Sequence, residues 1–183
     1  MTSSVSDLAE SWLPWLNQVL GHHSLPLRAS RAPDENDSDS EDESFPILIH
    51  IASVRSQNPQ SSIPAMIGLV ATNDFPLHDD HGNSNAFLSD QIFVKQIGTL
   101  RTNAPFRCFI ARPNGRITFY SVSDLGAGQN GASTKVDFVD LGSYVRSGSG
   151  RAGWSEQTLA DCVKRNLAQM ASIAPRFYQH AFL

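Results

Sequence analysis

Cysteine is almost missing from this chain, with Cys108 and Cys162 the only two in 183 residues. Two such thiols give neither a disulfide framework nor a metal-ligand spacing. Both are expected as small buried hydrophobes in a reducing, intracellular compartment. Long hydrophobic runs are missing too, and none approaches the roughly 20 apolar residues that cross a bilayer. Met1-Thr2-Ser3-Ser4 has no basic region. The first apolar stretch is broken by Pro14 and Asn17, which is unlike a secretory signal. Charge is sparse at 17% of residues, and the net charge of −4 speaks against bulk binding to nucleic acid.

What charge there is lies unevenly. Residues 34–44 read Asp-Glu-Asn-Asp-Ser-Asp-Ser-Glu-Asp-Glu-Ser, with seven carboxylates and no apolar side chain. Such a run cannot offset the entropy of ordering, so it is expected as a solvated tether. Residues 45–183 then hold 12 basic and 9 acidic side chains, which leaves room for a local basic patch. The expected organisation is an amphipathic Pro-Trp helix in 1–29, an acidic linker in 30–44 and one β-rich domain in 45–183.

In the first segment, Leu8, Trp12, Leu16, Val19 and Leu20 recur at helical spacing, with Ser6-Asp7 as a cap and Gly21 as a terminator. Pro14 inside this pattern points to a main helix starting near Leu13, with Pro14 in its first turn. A helix that short is unstable alone, so its apolar face packs on the following domain or on a partner protein. Trp12, Pro14, Trp15 and Leu16 are the candidate partner-binding residues, given the weight of tryptophan in interfaces. His22 and His23 lack a third ligand nearby, and their place at a helix C-terminus suits the dipole without a metal.

In the second segment, strands are expected at 45–55, 65–72 and 91–97, with Gly68 as a bulge or tight bend. The strongest local signal is a hairpin over 106–120, where Asn114-Gly115 between two strand-like runs indicates a type I′ turn. Another strand follows at 135–141, with Tyr144-Val145 extending it past Gly142. A closing helix begins around Ser155 and carries Leu159, Cys162, Val163, Leu167 and Met170 on one stripe, ending before Pro175. The aromatic tail 177–183 is expected to dock on the domain. The fold class is mainly β with flanking helices, α+β in content. An OB-like small antiparallel barrel or half-open sandwich is the leading architecture, with a helix-covered sheet as the alternative.

Candidate chemistry is thin. His78-Asp79-Asp80-His81 places two imidazoles and two carboxylates in four residues, a set that suits a divalent ion or a base with its orienting acid. Flanking Pro76 and Gly82 favour a loop with no defined geometry, so no metal or catalytic residue is assigned and no cofactor is implied. No serine sits in Gly-x-Ser-x-Gly, and the loops containing Gly126-x-Gly128 and Gly148-x-Gly150 do not lead into a Lys-Ser or Lys-Thr helix start. The basic hairpin offers more. Arg101, Arg107, Arg112 and Arg116 occur without an intervening acid, and alternation puts Arg107 and Phe109 on one strand face. Displayed together, they form the pairing that stacks bases and tracks a single-stranded backbone. The bland alternative is an exposed strand kept soluble by its arginines.

The stretch Trp12-Leu13-Pro14-Trp15-Leu16-Asn17-Gln18-Val19-Leu20 resembles the short N-terminal Pro-Trp helix of the TPP1/Est3 family of telomere OB-fold proteins. The order of parts is similar as well: Pro-Trp helix, variable polar segment, β-rich domain. This resemblance implies a non-catalytic adaptor that recruits or regulates telomerase, a nuclear location, and a structural packing role for Pro14, Trp15 and Leu16. A second resemblance joins Ser89-Asp90, Phe106-x-Cys108 and Gly115-x-Ile117 to the protruding domain of calicivirus-like capsid proteins, which implies a viral surface module. The functional expectation is a non-enzymatic binding or adaptor protein with protein partners and single-stranded nucleic acid as a second candidate ligand. The alternatives are that viral module and a hydrolase or metal-dependent enzyme using the His78-Asp79-Asp80-His81 loop.

Overall fold

The structure, a computed structural model, describes residues 4–32, 46–54, 63–78, 80, 82, 85, 104–124, 136–146 and 153–182. Helix α1 spans Val5–His22. A capping box opens it: Ser4 Oγ accepts the Asp7 N–H at 3.1 Å, and the Asp7 carboxylate accepts the Ser4 N–H at 3.3 Å. The helix therefore starts well before Leu13, with Pro14 in its interior. An interior proline costs about 3 kcal/mol. Eight residues of α1 are buried, Trp12, Leu16, Val19 and Leu20 among them, and each large apolar side chain contributes about 1.5–3 kcal/mol. Burial wins, and Pro14 lies on the exposed side.

Ser24, not Gly21, terminates the helix. It takes the left-handed φ of +53°. Its N–H bonds to Gly21 O at 3.0 Å, while the Leu25 N–H bonds to Leu20 O at 3.0 Å. These are the two bonds of a Schellman motif, completed by partly buried Leu25 beside the core. The chain is thereby turned back into strand β1, Leu27–Arg31, which runs across the boundary expected between the 1–29 helix segment and the 30–44 linker. Leu27 and Ala29 are buried while Arg28 and Ser30 face solvent, so α1 lies over the Leu27 and Ala29 face.

The remaining strands are β2 Ile47–Ser53, β3 Met66–Val70, β4 Phe106–Ala111, β5 Arg116–Asp124 and β6 Val136–Val145. They form one six-stranded sheet in chain order. All neighbours are antiparallel except β3 and β4, which run parallel. The architecture is an α+β sheet with flanking helices, and among the described residues β1 and β6 lie at opposite edges without pairing. The antiparallel OB-like barrel expected from the sequence is thus not closed by these strands. Its parallel step needs a crossover, which a string of strand-like runs does not reveal. The strand expected at 91–97 lies outside the described residues.

The hairpin is present, but its turn is different. Gly115 alone has positive φ, at +73°, while Asn114 does not. Gly115 N–H bonds to Arg112 O at 3.2 Å and Arg112 N–H to Arg116 O at 2.8 Å. This is a type I turn closed by a left-handed glycine, and Pro113 dictates it by fixing a negative φ at the second turn position. Gly68 makes no bend either: a Cβ there would lie 1.8 Å from Phe109 Cζ, so the glycine leaves room for that ring.

Helix α2, Trp154–Ile173, packs against β4 and α1, and α3, Pro175–Phe182, follows at once. The α2 stripe includes a polar residue that pattern reading passed over. Asn166 is fully buried. Its Nδ2 donates to Ala65 O at 3.0 Å and Arg107 O at 2.9 Å, and its Oδ1 accepts the Arg107 N–H at 2.9 Å. One side chain thus satisfies backbone groups where the parallel β3–β4 seam begins. Tyr178 of α3 packs against the core, as expected of the tail. Among the described residues, no helix is long and apolar enough to cross a membrane.

Candidate functional site

Each candidate from the sequence has a definite place. Trp12, Trp15 and Leu16 are buried in the chain's own core, and the two indoles meet edge to face with centroids 5.5 Å apart. The Arg146 guanidinium lies 4.8 Å from the Trp12 ring centroid and donates to Ser11 O at 2.7 Å. These tryptophans therefore hold α1 to the sheet, and only Pro14 of the four candidate partner-binding residues is left exposed. The amphipathic pattern is the same for a core helix and a partner helix, which is why sequence left both open.

The basic hairpin does not display its aromatic ring. Phe109 is completely buried, tilted against Phe119 at 6.5 Å and seated on Gly68. The face that alternation gives to Arg107 and Phe109 is interior at Phe109, so no stacking platform forms there. Arg112 is occupied by donating to the Thr72 and Phe75 carbonyls, and burial draws its pKa down. Arg107 is half-buried, Arg116 is exposed, and Arg101 lies outside the described residues.

Of His78-Asp79-Asp80-His81, the structure describes His78 and Asp80, both exposed. The His78 ring meets Phe138 edge-on at 6.4 Å. Among the described residues, no group of three or more His, Cys, Asp or Glu could hold a metal ion. Both cysteines are buried, and burial pushes the Cys108 thiol well above its ordinary range and Cys162 up to about 11. They remain protonated at neutral pH, without nucleophilic character.

The feature that sequence reading missed is a difference between the two edges of the sheet. Asn17 of α1 meets the outer edge of β1. Its Nδ2 donates to Ala29 O at 3.1 Å and its Oδ1 accepts the Ala29 N–H at 2.9 Å. A side-chain amide here imitates the pairing of a neighbouring strand. At the same end, Arg31 donates to Ser6 O at 3.0 Å and to Glu10 at 2.8 Å. The β1 edge is closed by its own chain.

The β6 edge has no such cover among the described residues. It is ten residues long, against five for β1. Val139, Leu141 and Val145 are 51%, 39% and 63% exposed, so half of the six large exposed hydrophobics among the described residues lie on this one strand. A bulge interrupts it, where the register shifts between Phe119 and Tyr120. Gly142 takes φ +129° there, its N–H bonded to Asp140 Oδ1 at 2.7 Å, and a Cβ would crowd Tyr144 Oη at 2.8 Å. Exposed Asp137 and Asp140 complete the strand's surface. A long edge strand with exposed apolar side chains is chemically suited to receiving another polypeptide.

Comparison with protein-family models, curated proteins and solved structures finds no match for this chain.

Proposed function

We propose that this chain is a non-enzymatic binding or adaptor protein that receives a protein partner at the outer edge of β6. The observation that carries this reading is the contrast between an edge that the chain caps with Asn17 and an edge that exposes Val139, Leu141 and Val145. Edge strands invite association, and proteins limit it with cover, charged side chains or bulges; β1 has the cover, and among the described residues β6 has charge and a bulge only. The bulge and the two acids narrow what β6 accepts while leaving its apolar side chains in solvent.

The telomere-associated form of this reading rests on the resemblance of Trp12–Leu20 to the Pro-Trp helix. Burial of Trp15 and Leu16 fits the packing role that the resemblance implies, and an adaptor built this way recruits through a surface other than the helix. The OB-like barrel carried by the same resemblance has less support, since the described sheet is open. For single-stranded nucleic acid, Arg107 and Arg116 remain, without Phe109 as a stacking partner.

A site-specific photocrosslinker tests the adaptor reading. Placed at Val139 on β6 in source cells, it should give discrete protein adducts, while the same group at Arg28 on β1 should give few. Equal adduct formation at both positions, or none at either, contradicts the assignment.

A further inference from the structure

We infer that the N-terminus of α2 is a binding site for the phosphate of a nucleoside monophosphate, with the Trp154 indole as the face on which the base stacks. This site lies on a different element from β6 and is independent of the partner proposed there.

The start of the helix is open. Gly153 is its N-cap and has no side chain to accept from the first turn. Gly153 O accepts the N–H groups of Glu156 and Gln157 at 3.0 and 3.3 Å. The N–H groups of Trp154 and Ser155, at the first two helical positions, have no intrahelical partner. A second observation points to a ligand. Ser155 is only 1% exposed, yet its Oγ has no hydrogen-bond partner. Native proteins rarely leave a buried hydroxyl unsatisfied. Side chains on a helix tilt toward its N-terminus, so a hydroxyl at the second position is carried back over the open end. Two backbone donors and one hydroxyl are thus presented where the dipole of a 20-residue helix favours an anion.

Neighbouring residues narrow the anion to a nucleotide. Trp154 is 81% exposed, more than any other large hydrophobic residue among those described. An exposed indole beside a phosphate site is suited to stacking a base. In the sequence, residues 148–153 read Gly-Ser-Gly-Arg-Ala-Gly, the glycine spacing of a phosphate loop, with Trp154 where such a loop carries lysine and Ser155 where it carries its hydroxyl. The site itself consists of Gly153, Trp154 and Ser155. Tryptophan in place of lysine removes the cation that reaches outer phosphates, and Glu156 adds an acid to the first turn. Both differences favour a single phosphate group over a di- or triphosphate.

The test uses the full chain, with AMP, inorganic phosphate and adenosine as probes. AMP should shift the amide resonances of Trp154 and Ser155 and quench the fluorescence of Trp154, since Trp12 and Trp15 are buried. Phosphate should shift the same amides about tenfold more weakly, because it lacks the stacked base. Adenosine should leave them in place. Gly153→Asp should abolish the AMP response and raise the melting temperature, because a carboxylate at the N-cap accepts from the first turn; the N-cap φ of −79° is open to any residue. Trp154→Ala should bring AMP down to the level of phosphate with the melting temperature unchanged. Ser155→Ala should weaken both anions without lowering the melting temperature, since the hydroxyl it removes has no partner. No amide shift with millimolar AMP, shifts that survive Gly153→Asp, or adenosine binding as tightly as AMP overturns the inference. Equal affinity for phosphate and AMP would remove the nucleotide, and a lowered melting temperature in Ser155→Ala would assign its hydroxyl to the fold.

Discussion

The two edges of the sheet solve the same physical problem in opposite ways. A strand at an edge has backbone donors and acceptors with no strand partner. On β1 the chain supplies a substitute, because Asn17 reaches Ala29 N–H and C=O from the helix above and Arg31 ties the strand end to Ser6 and Glu10. On β6 it supplies a bulge, two acids and exposed apolar side chains. Helix α1 touches both ends of this contrast, holding Asn17 over β1 and presenting Trp12 and Ser11 to Arg146 beyond β6. The Pro-Trp helix is therefore the clamp that keeps one edge shut, and the other edge is the one proposed to receive a partner.

The largest expected effect comes from loosening that clamp. Trp12→Ala removes a fully buried indole and the seat of the Arg146 guanidinium. Urea unfolding should show a loss of about 3–5 kcal/mol. A loss under about 1 kcal/mol, with partner capture abolished, would return Trp12 to an interface role.

Asn17→Ala comes next. It leaves Ala29 N–H and C=O without their side-chain partner, which should cost about 1–3 kcal/mol. It should also give this variant a new concentration-dependent association, since both edges would then be open. Light scattering that stays monomeric, with stability unchanged, would show that Asn17 does not close β1.

Ser24→Gly should be the smallest and have the opposite sign. Ser24 carries positive φ in the turn that sets β1 beneath Asn17. Glycine relieves a left-handed strain of about 1 kcal/mol, so the melting temperature should rise by a few degrees. A fall would mean that the Ser24 side chain contributes more than its backbone costs.

Much of this fold can be read from the residues, and the gaps have physical causes. The strands around Ile49, Leu69, Phe109 and Phe119 announce themselves by β-branched and aromatic alternation, and the α2 stripe by helical spacing. Strand β1 does not, because Leu-Arg-Ala-Ser-Arg becomes a strand through β2 and Asn17 and has little propensity of its own. Asn166 sits on an apolar stripe where pattern reading expects a hydrophobe, and its value lies in backbone groups far away in sequence. The hairpin was legible in place but not in turn type, since Pro113 outweighs the Asn-Gly signal. Pairing order was hidden for the reason that hides it generally: alternation fixes a strand's two faces and says nothing about its neighbours. For the candidate site, sequence drew attention to tryptophans and arginines that the fold buries or occupies. The β6 edge went unnoticed because Val139 and Leu141 read as core residues until the strand is known to be last in the sheet.

Amide hydrogen exchange on the free protein, resolved at Ala29 and Val145, tests the contrast most directly. With Asn17 bonded to Ala29 and, among the described residues, no strand paired beyond β6, the Ala29 amide should be protected close to the level of global unfolding, and the Val145 amide should exchange orders of magnitude faster. Comparable protection at both residues would mean that β6 is already covered in the isolated chain, and would contradict an open edge awaiting a partner.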